Sequence, residues 1–328
     1  MLHFLRSLFK ASSSKPSSVP ARRLGIELGE IEGALIEEKE FPRPQWKIIH
    51  SWVKEHIAEE NLHIAWQEIS FNWVCNLKLH LGADYSVYQS PNFILLTSRG
   101  LNESKTILRT SELAVQFLVK WLGSIAEKKG YGKHVVLDFT SIENYYDYVS
   151  YFYPPGSPLI ASGGVFLRGG YQHIALPPSR QVQDTLIHEL AHNRLAHLPL
   201  PTWLNEGIAV TMERKIGGKK HGRIDRDLHK KHRDYWSRKT ISAFWTGQSF
   251  NDIDGEIIHL SYSLADTLVD LLVQEFPNFL EFVSEANRED ASQSALQKYF
   301  GINLSDLIST FLGPGDWVSE IPHIKPAE

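Results

Sequence analysis

At 328 residues the chain can bury a substantial core in two or three packed units, so folding requires neither disulfide nor metal staples. Hydrophobic residues make up 42%, charged residues 22% and the formal net charge is −4, ordinary values for a soluble protein and too acidic overall for one built around nucleic acid. The single cysteine, Cys75, excludes an intramolecular disulfide and a cysteine-built metal site, and reads as a buried small apolar residue.

The first ten residues, MLHFLRSLFK, have the pattern of one short amphipathic helix capable of weak membrane-surface contact, and ASSSKPSSVPARR after it reads as a tether. Residues 1–24 are therefore expected to be a tail. No run reaches the roughly 18 apolar residues of a membrane span, and the expected location is cytoplasmic. A mainly helical segment, 25–83, follows. Trp46, Ile49, Trp52, Val53 and Ile57 recur at helical spacing, whereas the apolar stretch from Leu62 to Leu81 has mixed periodicity that leans helical between His63 and Trp73.

From 84 to 198 the pattern is α/β. Asn92 to Thr97 is a short bounded apolar run that predicts a buried strand, a helix is predicted from about Ser104 to Ala126, and His134 to Phe139 predicts a second strand. The aromatic stretch ENYYDYVSYFYPPGSP suits a loop or helix at a cleft rim. Gly164 to Arg168 and Tyr171 to Leu176 read as two strands around a glycine turn, the second expected to be the edge along which a peptide could add. The next helix has Ser179 or Asp184 as its candidate cap and ends before Pro199 and Pro201. Residues 199–328 are helical in pattern, with helices from Glu206 to about Lys215 and from about Ile257 to Phe276. Between them, Arg214 to Lys239 carries eleven Lys or Arg against three Asp and reads as a solvated or cleft-side surface. The whole predicts an α+β fold, a mixed sheet with helices in the N-terminal half and a mainly helical C-terminal half.

The strongest chemical signal is His188-Glu189-Leu190-Ala191-His192. Residues four apart on a helix share a face, so the two imidazoles can converge on one ion while Glu189, turned about 100° away, stands beside it as a base. Leu186, Ile187, Leu190 and Ala191 make this helix a buried one, and burying two His and a Glu without partners costs several kcal/mol in rough terms. A metal removes that cost. Catalytic zinc sites use three protein ligands and an open position, so the third ligand should come from a neighbouring helix, and the segment Pro199 to Ala209 supplies a candidate in Glu206.

HELAH followed by WLNEGIA resembles the gluzincin metallopeptidases, in particular the aminopeptidase-N-like group. Thirteen residues separate His192 from Glu206, and this compact spacing is more similar to the small bacterial peptidase MA-like proteins. The resemblance implies a zincin-like fold with the active-site cleft between its halves, a Zn²⁺ ion on His188, His192 and Glu206, and Glu189 as general base for zinc-bound water attacking a peptide bond. It also marks Glu213 as a supporting acidic position and Tyr262 as the oxyanion donor, with His259, one turn earlier, able to do the same work. His197 does not fit the spacing of a third histidine ligand, since the positions such a pattern needs hold Leu195 and Leu198. His134 and His173, in predicted strands, read as structural. The expected partner is a peptide or protein substrate. The alternatives are a zinc hydrolase of non-peptide amides and a zinc-stabilised binding or regulatory protein without turnover.

Overall fold

The computed structural model describes residues 23–38, 41–126, 130–154, 163–217, 224–275, 278–315 and 317. The amphipathic N-terminal segment predicted from the sequence lies outside them. A hairpin of β1 (Leu35–Glu38) and β2 (Phe41–Pro44) leads into α1 (Trp46–His56) and α2 (Leu62–Leu81). Then come β3 (Ser86–Gln89), β4 (Phe93–Thr97), α3 (Leu101–Leu122), β5 (His134–Asp138), α4 (Ile142–Ser150), β6 (Val165–Leu167) and β7 (His173–Leu176). The remainder is helical: α5 (Val182–Leu195), α6 (Thr202–Ile216), α7 (Arg226–Tyr235), α8 (Ile241–Trp245), α9 (Gly255–Glu275), α10 (Phe279–Glu285), α11 (Gln293–Phe300) and α12 (Leu304–Leu312). Among the described residues this is an α+β fold of twelve α-helices, with a mixed five-stranded sheet besides the hairpin. No helix among them is long and apolar enough to cross a membrane.

The sheet order is β3-β4-β5-β7-β6, with β4, β5 and β7 parallel and the two edges antiparallel to them. Alternation along the strands sends Phe93, Leu95, Val136, Ile174 and Leu176 to one face, where α3, α5, α6 and α9 pack. Ile94, Leu96, Val135, Leu137 and Ala175 face α1, α2 and α4 on the other. With helices on both faces, every residue of β4 and β5 is buried, which is why those strands read as continuous apolar runs. The N-terminal helices thus share a core with the sheet.

The structure corrects the expected edge. Residues 173–176 lie inside the sheet between β5 and β6, and among the described residues the edge beside α5 is the three-residue strand β6. The connection between the two passes through Gly170, whose φ of 71° and close contact with the Trp46 ring leave no room for a side chain. The predicted caps of α5 are also corrected. Gln181 occupies the N-cap without a side-chain bond, and the Ser179 hydroxyl instead accepts from the Gln181 N–H at 2.9 Å. Helix α6 begins at Thr202, four residues earlier than predicted, because Pro201 precedes a helix as readily as it ends one; it has no N–H to leave unsatisfied. The first part of the aromatic stretch after β5 lies in α4, capped by Ser141, whose hydroxyl accepts from the Asn144 N–H at 3.1 Å. Part of the basic segment is the amphipathic helix α7, which buries His232 against Ser263 and Trp236. Cys75 is half-buried on α2, and burial pushes its thiol up.

His173 shows how tightly the sheet is packed. Its Nδ1 donates to the Tyr171 carbonyl and its Nε2 accepts from the Tyr148 hydroxyl, both at 2.7 Å, which leaves a neutral ring with no place for a second proton. Burial, against a weaker opposing pull from the Tyr171 carbonyl, lowers its pKa to about 4. Below pH 6.5 the unfolded chain takes up a proton that the folded chain refuses, so stability falls as the pH drops towards 4. We expect urea unfolding at pH 7 and pH 5 to show wild type losing about 2 kcal/mol more than His173→Gln over that interval. Equal losses would mean that the ring protonates freely in the folded state.

Candidate metal centre

The approach to α5 is held by a buried polar cluster. Asp138, at the end of β5, accepts from Thr97 Oγ1 at 2.6 Å and Arg99 Nε at 2.7 Å, and the same guanidinium donates to the Ser179 carbonyl at 2.7 Å. This ties the start of α5 to the ends of β4 and β5. One helical turn brings His188 and His192 together, with ring centroids 4.6 Å apart.

Helix α6 supplies the carboxylate. Glu206 Oε2 lies 3.1 Å from His188 Nε2 and 3.4 Å from His192 Nε2. One ligand atom from each of the three residues lies within 4.8 Å of the others, and among the described residues no other group of three His, Cys, Asp or Glu side chains converges so. Ligand atoms about 2.0–2.1 Å from a tetrahedral zinc stand about 3.3 Å apart, so the donor set fits such an ion. The three side chains are 13–15% exposed, below the surface yet reachable from it.

Three further side chains, Glu213, Glu189 and Tyr262, stand around them. Glu213, two turns along α6, has Oε1 2.6 Å from His188 Nδ1 and so turns Nε2 towards Glu206. His192 Nδ1 is buried without a hydrogen-bond partner among the described residues. Glu189 is buried, and its carboxyl accepts the backbone N–H of Phe166 on β6. Burial, and after it the charge of Glu206, raises the Glu189 carboxyl above its ordinary range against the pull of both imidazoles. Glu206 moves the other way. Burial alone would raise it, but His192 and His188 outweigh that and hold it well below the usual carboxylate range. In return His188 and His192 are raised, the carboxylates overcoming the effect of burial.

Tyr262 approaches from α9, its ring 6.2 Å from that of His188 and its hydroxyl bonded to Glu206. Burial and the surrounding carboxylates push its phenol far up, so it remains a donor. His259 is exposed, and its titratable neighbours include His232 and Glu256. His197 lines a different cavity with His50 and Trp66, and buried His134 packs on Phe93. The sequence reading did not single out Tyr153. Burial raises its phenol first and the charge of Glu189 second, so Glu189 is among its neighbours; the aromatic rim stretch was its only signal.

The glycine after Glu206 explains how α6 reaches this position. A Cβ on Gly207 would lie 2.6 Å from both the Ala265 carbonyl oxygen and Val269 Cγ2 on α9. Only glycine permits that approach, and Tyr262 is one turn before Ala265, so the same contact sets Glu206 and Tyr262 together. Thr211 donates to Asp266 at 2.9 Å and Arg214 to Asp270 at 2.7 Å, fastening α6 to α9 further on. At the other end, Trp203 is fully buried and donates to the Ala291 carbonyl at 3.0 Å.

No family profile matches the chain, and no curated protein sequence does. The site is therefore defined by its geometry. Titration of chelator-treated protein with Zn²⁺ should find one tight site per chain that Glu206→Ala abolishes. Gly207→Ala keeps all the donors yet should weaken binding by at least about 10-fold and cost about 1–3 kcal/mol of stability. An unchanged affinity in Gly207→Ala would mean that the α6–α9 spacing does not position Glu206.

Proposed function

We propose that the protein is a zinc-dependent peptidase of the gluzincin type, on a zincin-like fold, with His188, His192 and Glu206 holding the metal. The observation that carries this reading is the convergence of two imidazoles and a carboxylate beside Glu189, a buried base whose proton affinity is raised. A purely structural site has no use for such a base. When bound, zinc polarises a carbonyl and acidifies water in its coordination shell.

The chain's own residues do the rest. Glu189 takes the proton of the attacking water and passes it to the departing amine, and its raised pKa brings it closer to the working pH that proton transfer requires. The Phe166 N–H keeps that carboxyl facing the site. Tyr262, held protonated, donates to the oxygen that becomes negative as the carbonyl carbon turns tetrahedral. Glu213 fixes the His188 ring, and the edge of β6 offers backbone groups to an extended substrate. A single cysteine and no disulfide suit the reducing cytoplasm.

The test is cleavage of a peptide library by the metal-loaded protein, read by mass spectrometry. Glu189→Gln should lower kcat by at least about 10²-fold with zinc content unchanged, and Tyr262→Phe should lower kcat about 100-fold with little change in KM. Turnover by Glu189→Gln at the wild-type rate would overturn the reading.

A further inference from the structure

Beside the metal site lies a second cavity of about 380 Å³ with a mainly polar lining, Thr202, Asn205 and Thr246 standing beside Leu195, Leu200 and Trp245, and it reaches Glu206. Two guanidiniums line it. Arg168 directly follows β6, the edge strand whose Phe166 N–H meets Glu189. Arg288 comes from the far C-terminal part of the chain, fixed by its own backbone N–H, which donates to the Pro199 carbonyl at 2.8 Å in the link between α5 and α6.

Neither guanidinium has a carboxylate partner among the described residues. Glu206 is the one carboxylate in the cavity lining, and the two imidazoles already engage it. Burial and the neighbouring charge of Arg288 lower the pKa of Arg168, with nothing acidic to offset them. Both side chains are solvent-exposed at the mouth of this mainly polar recess, where two like charges with no acidic partner favour an anion between them, and the planar fork of a guanidinium matches a carboxylate.

We infer that this cavity is a substrate subsite for a carboxylate, carried by an acidic side chain or by the C-terminus of a peptide chain, with Arg168 and Arg288 as the residues that bind it. This rests on the peptidase reading for the word substrate, but not for the binding itself. The carboxylate would sit on the Glu206 side of the scissile bond, and Arg168, being continuous with β6, would couple its position to the register of the chain laid along that strand.

The test uses the full-length, zinc-loaded Glu189→Gln protein and calorimetry with two sets of acetylated hexapeptides. In one, Glu is exchanged for Gln at each position in turn; in the other, a free C-terminal acid is exchanged for the amide. In at least one pair the acidic member should bind at least about 10-fold tighter, the advantage shrinking with added salt and falling below about 2-fold in Arg168→Gln/Arg288→Gln. Which set shows it identifies the source of the carboxylate. Equal affinities in every pair, no binding by any peptide, or a preference that survives in the double variant would overturn the inference. Cleavage of the same peptides by the wild-type chain is scored separately. Peptides bound with the acidic preference but never cut would leave the subsite and remove the peptidase, whereas cutting without the preference would do the reverse.

Discussion

A carboxylate wedged between two imidazoles, just beneath the surface, is the contact around which the C-terminal half is organised. Glu206, His188 and His192 each lose solvation on folding, and none is tolerable there alone. Their mutual attraction offsets that loss only at hydrogen-bonding distance, and this sets demands on the helices that carry them. Helix α5 must lie flat on the sheet, where Leu186, Ile187 and Leu190 hold it, and its start is fixed through Arg99 and Asp138. Helix α6 must cross it at one height. Gly207, Trp203 and the Arg214 pairs on α9 fix that height, so a three-residue contact constrains how α5, α6 and α9 pack beside the sheet.

Much of this was legible in the residues. The runs of β4 and β5 announced strands covered on both sides, and the periodicity around His188 announced a buried helix. Glu206 was found through the WLNEGIA resemblance; its closeness to both imidazoles then appeared as geometry that no periodicity could give. What stayed hidden depends on pairing across the chain. Both β6 and β7 are short and apolar, and local pattern cannot say which one is interior; only the parallel pairing of β7 with β5 decides it. The hairpin of β1 and β2 escaped notice because FPRP carries two prolines, residues that normally argue against a strand. Arg168 and Arg288 are 120 positions apart in the chain, and nothing local to either marks them as neighbours.

The histidines divide by surroundings. His173 and His232 are neutral spacers, each bonded on both ring nitrogens and each pushed down to about 4 by burial. His188 and His192 lie nearer the surface but face carboxylates, and their proton affinity rises against the effect of burial. Burial acts downward on all four, and the facing carboxylates decide which of them rise, separating a scaffold imidazole from one that can serve chemistry.

The brevity of β6 limits what its rim can hold. Three residues of strand span about 10 Å, so a guest segment pairing there gains only a couple of ladder bonds from its main chain. Such a grip is brief and blind to side chains. Discrimination between guests must then come from the flanking recesses, and release of a shortened fragment meets little resistance.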